Sequence, residues 1–219
     1  MPMIDFLLLH AARLCIVLAV CFAASATDAA PAVKSLNEAE RADVARIEAY
    51  LNGVRTMRAR FSQFNNDGGG ASGSIYVSRP GRMRVEYDPP TPVLIVATGI
   101  WLIYYDKQIG QVSHLPLNAS PAAFLVRESL QFARDSVILG FEKGPGTLRL
   151  TIADKSDPGT GRITFVFSDA PLTLQKWTVV DAQGLVTNIT LADAAFGVPL
   201  APQLFQFVDP TPDRTTPRN

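Results

Sequence analysis

Two periodicities divide the chain. From Ser35 to Val54, "SLNEAERADVARIEAYLNGV", the apolar residues Val44, Ile47, Leu51 and Val54 recur at intervals of three and four. That spacing lines them along one face of an α-helix. Ser35 with Glu38 three residues on fits a capping box, and Asn37 is an equally good N-cap. From Thr56 onward the period falls to two. It predicts strands over Met57–Phe64, Gly73–Ser78, Arg82–Tyr87, Val93–Ala97, Trp101–Asp106 and Gln111–Leu115. A second series follows over Val137–Phe141, Leu148–Ala153, Arg162–Phe167, Leu174–Asp181, Val186–Leu191 and Leu204–Val208. The connectors ("NNDGGGASG", "RPGR", "DPPTP", "SDPGTG", "DAQG") are short and rich in turn residues. Strands joined this way run antiparallel, and a meander of about ten to twelve of them must curl or close.

One stretch breaks the alternation. Ser120-Pro121 followed by "AAFLVRESLQFAR" reads as an N-cap and a proline at the first helical position. The apolar residues of this predicted helix (Ala122, Phe124, Leu125, Val126, Leu130, Phe132) cover more than one face. A helix packed on one side would show a narrower stripe, so apolar surface is expected on both of its sides. The last residues, "PTPDRTTPRN", hold nothing apolar beyond proline and read as a tail over 211–219.

The N-terminus has its own pattern. Leu14–Ala24 is an apolar run of 11 residues behind Arg13, with "ASATDAA" after it. A membrane span needs roughly 20 residues, whereas this layout fits a secretory signal peptide over residues 1–30. Ala24-Ser25-Ala26 is the expected cleavage motif. Both cysteines, Cys15 and Cys21, lie inside the segment, so the exported chain, a single domain over 31–210, needs no disulfides. "LAVC" loosely matches a lipobox with Val20 where a small residue is usual, which leaves acylation of Cys21 as an alternative.

Charge and site chemistry exclude more than they suggest. Lys and Arg number 20 and Asp and Glu 20, a balance that does not fit nucleic acid as partner. Outside the leader the sole histidine is His114, and neighbouring Ser113 points to the opposite face of its strand. No Cys or His cluster could hold a metal, and the glycines after Asp67 lack the ending of a phosphate loop. The expectation is a protein without catalytic residues, metal or cofactor. A hydrolase on a β-scaffold is the reading that the missing histidines disfavour.

Several motifs in fixed order resemble the LolA family of periplasmic lipoprotein carriers. They are "GSIYVSRPGRMRVEYDPP", "IVATGIWLIYYD", "QVSHLPL", "SPAAFLV" and the closing "LTLQKWTVVDAQGLVTNITLADAAFGVPLAPQLFQFVDP". The resemblance runs from about Glu38 to Pro210. It implies an α+β fold: a curved, unclosed antiparallel half barrel covered by a lid of helices. It also implies a function. The protein would hold the acyl chains of lipoproteins in a hydrophobic cavity and carry them from the inner to the outer membrane of a Gram-negative bacterium. The implied partners are acylated lipoproteins, an inner-membrane lipoprotein-releasing ABC transporter and an outer-membrane acceptor, with the carrier a monomer. Two alternatives share the fold: a lipid-anchored outer-membrane acceptor, and a domain that senses lipids or lipoproteins.

The resemblance also assigns residues. The arginine of the Arg-Pro pair, Arg79, is implied to reach the lid and hold the empty carrier shut. Strand alternation would put Ile75, Val77 and Arg79 on one face. The lid helix would carry Pro121, Ala122, Phe124 and Leu125. Met83, Val85, Tyr87, Trp101, Ile103 and Tyr105 are expected to line the cavity with Ile75 and Val77, while Arg82 and Arg84 face water behind the sheet.

Overall fold

A computed structural model describes residues 33–66 and 68–210. The expected leader with Cys15 and Cys21, the tail and Asp67 lie outside the described residues.

Helix α1 spans Glu38–Gly53. Its cap is Asn37, whose side chain accepts the Glu40 N–H while Glu40 reaches back to the Asn37 N–H, both at 2.9 Å. The box is thus Asn37/Glu40, not Ser35/Glu38. Val44, Ile47 and Leu51 are buried, and Tyr50 lies edge-on to Phe167 with ring centroids 5.8 Å apart. The stripe therefore covers sheet, as its spacing required.

Eleven antiparallel strands follow: β1 (Thr56–Asn65), β2 (Gly70–Ser78), β3 (Arg82–Tyr87), β4 (Val93–Thr98), β5 (Trp101–Asp106), β6 (Gln111–Pro116), β7 (Ser136–Gly144), β8 (Thr147–Asp154), β9 (Gly161–Asp169), β10 (Leu172–Asp181) and β11 (Val186–Phe196). They form one sheet in the order β6-β5-β4-β3-β2-β1-β11-β10-β9-β8-β7, so β6 and β7 are free edges and the sheet is not closed. Its curvature follows from what its inner face encloses. Leu102 of β5 and Trp177 of β10 line the same hollow. Six strand spacings separate these strands, which on a flat sheet would be roughly 29 Å at about 4.8 Å each. Bulges in β11 between Ala192 and Ala195, opposite Arg58–Arg60 of β1, in β7 between Ile138 and Gly140, and in β10 between Leu174 and Lys176 help the sheet to bend.

Two predicted elements take other forms. Leu204–Val208 is not a strand. A 3-10 turn, Pro202–Phe205, and the chain after it cross the back of β3 and β4. The segment covers the back of β4, where Leu94 and Val96 are buried.

The single helix expected after Ser120 is broken as well. It consists of a 3-10 turn, Pro121–Leu125, an irregular stretch, and a short helix α2, Phe132–Asp135. One regular helix would turn some of its apolar residues outward. Broken, the segment buries Ala123, Phe124, Leu125, Val126, Leu130 and Phe132 together. Helical cover over the hollow is correspondingly small.

Candidate functional site

The inner face of the sheet, with Ser120 and Leu125 of the segment 117–135, lines a hollow of about 200 Å³. Phe61, Ile75, Met83, Val85 and Tyr87 come to its wall from β1, β2 and β3, and Ile95 and Leu102 from β4 and β5. Trp177, Val179 and Ile189 close the other side, and Leu125 descends from above. Among the described residues no charged side chain and no histidine lines it.

Of the residues expected there, Ile75, Met83, Val85 and Tyr87 line this wall. Val77 shares their face, buried one step nearer Arg79. Trp101, Ile103 and Tyr105 do not. Register pairs Arg84 with Val96, Val96 with Ile103 and Leu94 with Tyr105, which places them on the back of the sheet. Ile103 is buried there, Tyr105 meets Phe207 at 5.9 Å, and the half-exposed Trp101 meets His114 at 6.3 Å. Because "WLIYY" is apolar on both faces of its strand, alternation carries no signal for which set points inward. Leu102 and Tyr104 are the inward pair.

Arg84 also departs from expectation. It lies on the back, as its alternation with Met83 and Val85 requires, but it is not simply solvated. Its Nε donates to Glu86 Oε1 at 2.7 Å and its Nη1 to the Leu204 carbonyl at 3.2 Å, beneath the C-terminal segment. Arg82 is exposed.

The "RPG" turn between β2 and β3 fastens the segment 117–135. Arg79 Nε donates to the Leu125 carbonyl at 2.9 Å, and Nη1 to the Leu51 carbonyl in the last turn of α1 at 2.6 Å. The Gly81 N–H donates to the next carbonyl along, Val126, at 2.7 Å. Gly81 has φ +75°, and a Cβ there would sit 2.7 Å from Gly99 Cα, so the turn reaches Val126 only with glycine at that position. Arg79 is partly buried and, among the described residues, pairs with no carboxylate. Burial, with Arg55 nearby, pushes its guanidinium down to about 10, which still leaves it charged at neutral pH. Among the described residues the cation is held by the carbonyl dipoles of Leu51 and Leu125.

Further ties were not legible in the sequence. Asn52 makes two bonds with the backbone of Leu130, from Nδ2 to the carbonyl at 2.9 Å and from the N–H to Oδ1 at 2.8 Å. Glu48 Oε2 accepts the Phe132 N–H at 2.6 Å. Arg127 donates to Asp154 Oδ2 at the end of β8 and stacks over the Phe124 ring, 4.2 Å from its centroid. The hydrogen-bonded partners stand 27 to 84 residues apart, and no spacing rule links them. The backbone groups that a regular helix would have bonded internally are thus taken by side chains of α1 and the sheet. Pro121 and Ala122 contribute backbone to the 3-10 turn, with Phe124 buried beneath Arg127.

The Arg127–Asp154 pair yields a measurable expectation. Burial by itself would raise the Asp154 carboxyl, but hydrogen bonds from Ser156 and the pull of Arg127 outweigh it and hold it below its ordinary value. Its contribution is therefore present above the ordinary carboxylate range and lost as pH falls through the lowered value. Asp154→Asn should weaken this tie by about 1 kcal/mol, or roughly fivefold in local opening. Hydrogen exchange of residues 123–128 checks this. The wild type should open more readily as salt rises, and the variant should not. Equal salt responses would remove the pair from any role in closure.

The sequence pattern of the family described as "Outer membrane lipoprotein carrier protein LolA" matches residues 52–208. Proteins named outer-membrane lipoprotein carrier protein are similar over most of the chain. That of Chromobacterium violaceum is 31% identical over 193 residues, covering 84% of this chain and 92% of that protein. That of Legionella pneumophila (strain Corby) is 30% identical over 172 residues, covering 75% and 84%. That of Methylococcus capsulatus is 28% identical over 182 residues, covering 80% and 87%.

Proposed function

The chain belongs to the LolA family of outer membrane lipoprotein carrier proteins, and from that premise we propose that it carries acylated lipoproteins across the periplasm of a Gram-negative bacterium. It takes them from an inner-membrane lipoprotein-releasing transporter and passes them to an outer-membrane acceptor, acting as a monomer with the acyl chains in the hollow under the lid. The observation that carries this reading is Arg79, a cation bridging Leu51 and Leu125 above an apolar hollow.

The energetics fit a carrier without chemistry. Each methylene withdrawn from water contributes about 0.8 kcal/mol, so bare acyl chains do not leave a bilayer unaided. Transfer from bilayer to apolar cavity is nearly neutral, because both phases exclude water. What remains is to open and close. The hollow of about 200 Å³ is of the order of a cavity that holds benzene, about 150 Å³, and is too small for the chains of a lipoprotein. The described form is therefore the closed one, and loading requires Leu125 and its neighbours to lift. The lid contacts, which are buried apolar side chains, hydrogen bonds and the Arg127–Asp154 pair, break and re-form without covalent change.

The test is displacement. The purified protein should bind an environment-sensitive apolar dye, and a triacylated lipoprotein added without detergent should displace it while the unacylated protein does not. Dye that stays bound in the presence of excess lipoprotein would count against the reading.

A further inference from the structure

The inner face of the sheet changes character along its strands. Val77, Ile75 and Met83, near the latch, are each 2–4% exposed. Towards the β1–β2 hairpin the same face becomes polar and half-exposed, with Gln63 and Asn65 on β1, Tyr87 on β3 and Thr187 on β11. Register brings these four together. Gly73 pairs with both Phe61 and Tyr87, Gln63 pairs with Ile189, and Asn65 pairs with Thr187.

The polar groups form a chain. Tyr87 Oη donates to Gln63 Oε1 at 2.5 Å, and Gln63 Nε2 donates to Asn65 Oδ1 at 3.0 Å. Phe61 lies edge-on to the Tyr87 ring at 5.2 Å and fixes where the phenol points. Burial pushes that phenol up to about 12, so it stays protonated and able to donate. Tyr87, Gln63 and Thr187 all reach the wall of the hollow.

We propose that this rim is a subsite for the neutral carbonyl, ester or amide, that joins an acyl chain to the polar part of an amphiphile. The inference rests on the reading of the hollow as a lipid site and deepens it by fixing orientation and chemical class. Hydrocarbon lies toward the latch, where the wall is apolar, and the carbonyl stops at the rim. There it accepts a hydrogen bond from the Tyr87 hydroxyl or the Gln63 amide N–H, donors that otherwise reach Gln63 Oε1 and Asn65 Oδ1. A carbonyl drawn out of water without such a donor would lose its hydrogen bonds uncompensated. The same wall disfavours a fatty carboxylate, since among the described residues no cation lines the hollow to pair with it.

The experiment uses the full exported chain and three probes: diphenylhexatriene, which is hydrocarbon alone, monopalmitoylglycerol and palmitate. In the wild type, monopalmitoylglycerol should displace the dye at lower concentration than palmitate does. In the near-isosteric double variant Gln63→Leu/Tyr87→Phe, the concentration of monopalmitoylglycerol needed for displacement, taken relative to that of palmitate on the same protein, should rise about tenfold. A cooperative thermal unfolding transition like that of the wild type shows that the variant is folded. Equal displacement by the ester in wild type and variant overturns the subsite while leaving the hollow standing. Failure of the wild type to bind any of the three probes overturns the hollow and the subsite with it.

Discussion

Arg79→Leu is expected to leave the sheet folded while trapping cargo on the carrier. Its guanidinium makes two charge-assisted bonds that no other group of the turn can replace, and bonds to a charged donor contribute about 1.5–3 kcal/mol each. Global stability should change less than that, because the substitution also removes a partly buried cation with no carboxylate beside it. The Leu51 carbonyl keeps the Val54 N–H at 3.3 Å. Closure loses both bonds. A loss of about 2 kcal/mol from the closed state raises the open fraction roughly 30-fold.

Cargo binds the open form, so its apparent affinity rises by the same factor and its release slows in proportion. Two measurements check this. Hydrogen exchange of Gly81 and the 121–131 segment should accelerate while that of β9 and β10 does not. In a transfer assay, lipoprotein should remain with the variant instead of passing to acceptor-bearing vesicles. Arg79→Lys should fall between, because an ammonium lacks the planar fork that addresses two carbonyls at once. Normal transfer by Arg79→Leu would refute the latch.

The second large effect is structural. Gly73→Ala should destabilise the fold by about 3 kcal/mol, since overpacking at a site with no room forces both side chain and backbone to shift. A Cβ at Gly73 would lie 2.1 Å from the Glu86 carbonyl oxygen and 2.7 and 2.9 Å from atoms of the Phe61 ring. The glycine leaves the space through which Phe61 reaches across β2 to Tyr87. Thermal unfolding should show the midpoint lowered by about 6–12 °C for a domain of this size. Gly140→Ala is the matched control, because its Cβ would meet only Thr151, at 3.6 Å, an ordinary contact. A fall of under 2 °C at Gly73, or one equal to that at Gly140, would sink the explanation.

What the chain's own order of residues determines is the set of elements. Helix α1 and eleven strands appear where the changes of period and the turn chemistry put them, because both signals are local: side-chain direction repeats every 3.6 or 2 residues whatever lies opposite. The "RPG" turn and the inward set Ile75, Met83, Val85 and Tyr87 were legible for the same reason, with one face of each strand apolar and the other carrying Tyr76, Arg84 or Glu86.

Local order could not settle three things. Strand β5 is apolar on both faces, so Leu102 rather than Trp101, Ile103 and Tyr105 enters the hollow only because of its register with β4. The helix expected after Ser120 yields internal hydrogen bonds to Asn52, Glu48, Arg79 and Gly81, partners distant in the chain, in exchange for burying Phe124, Leu125, Val126, Leu130 and Phe132 together. The last predicted strand lies across the back of the sheet as a 3-10 turn and extended chain, covering the buried Leu94 and Val96. In each case the outcome depends on which surface the rest of the fold leaves uncovered, and only tertiary packing sets that.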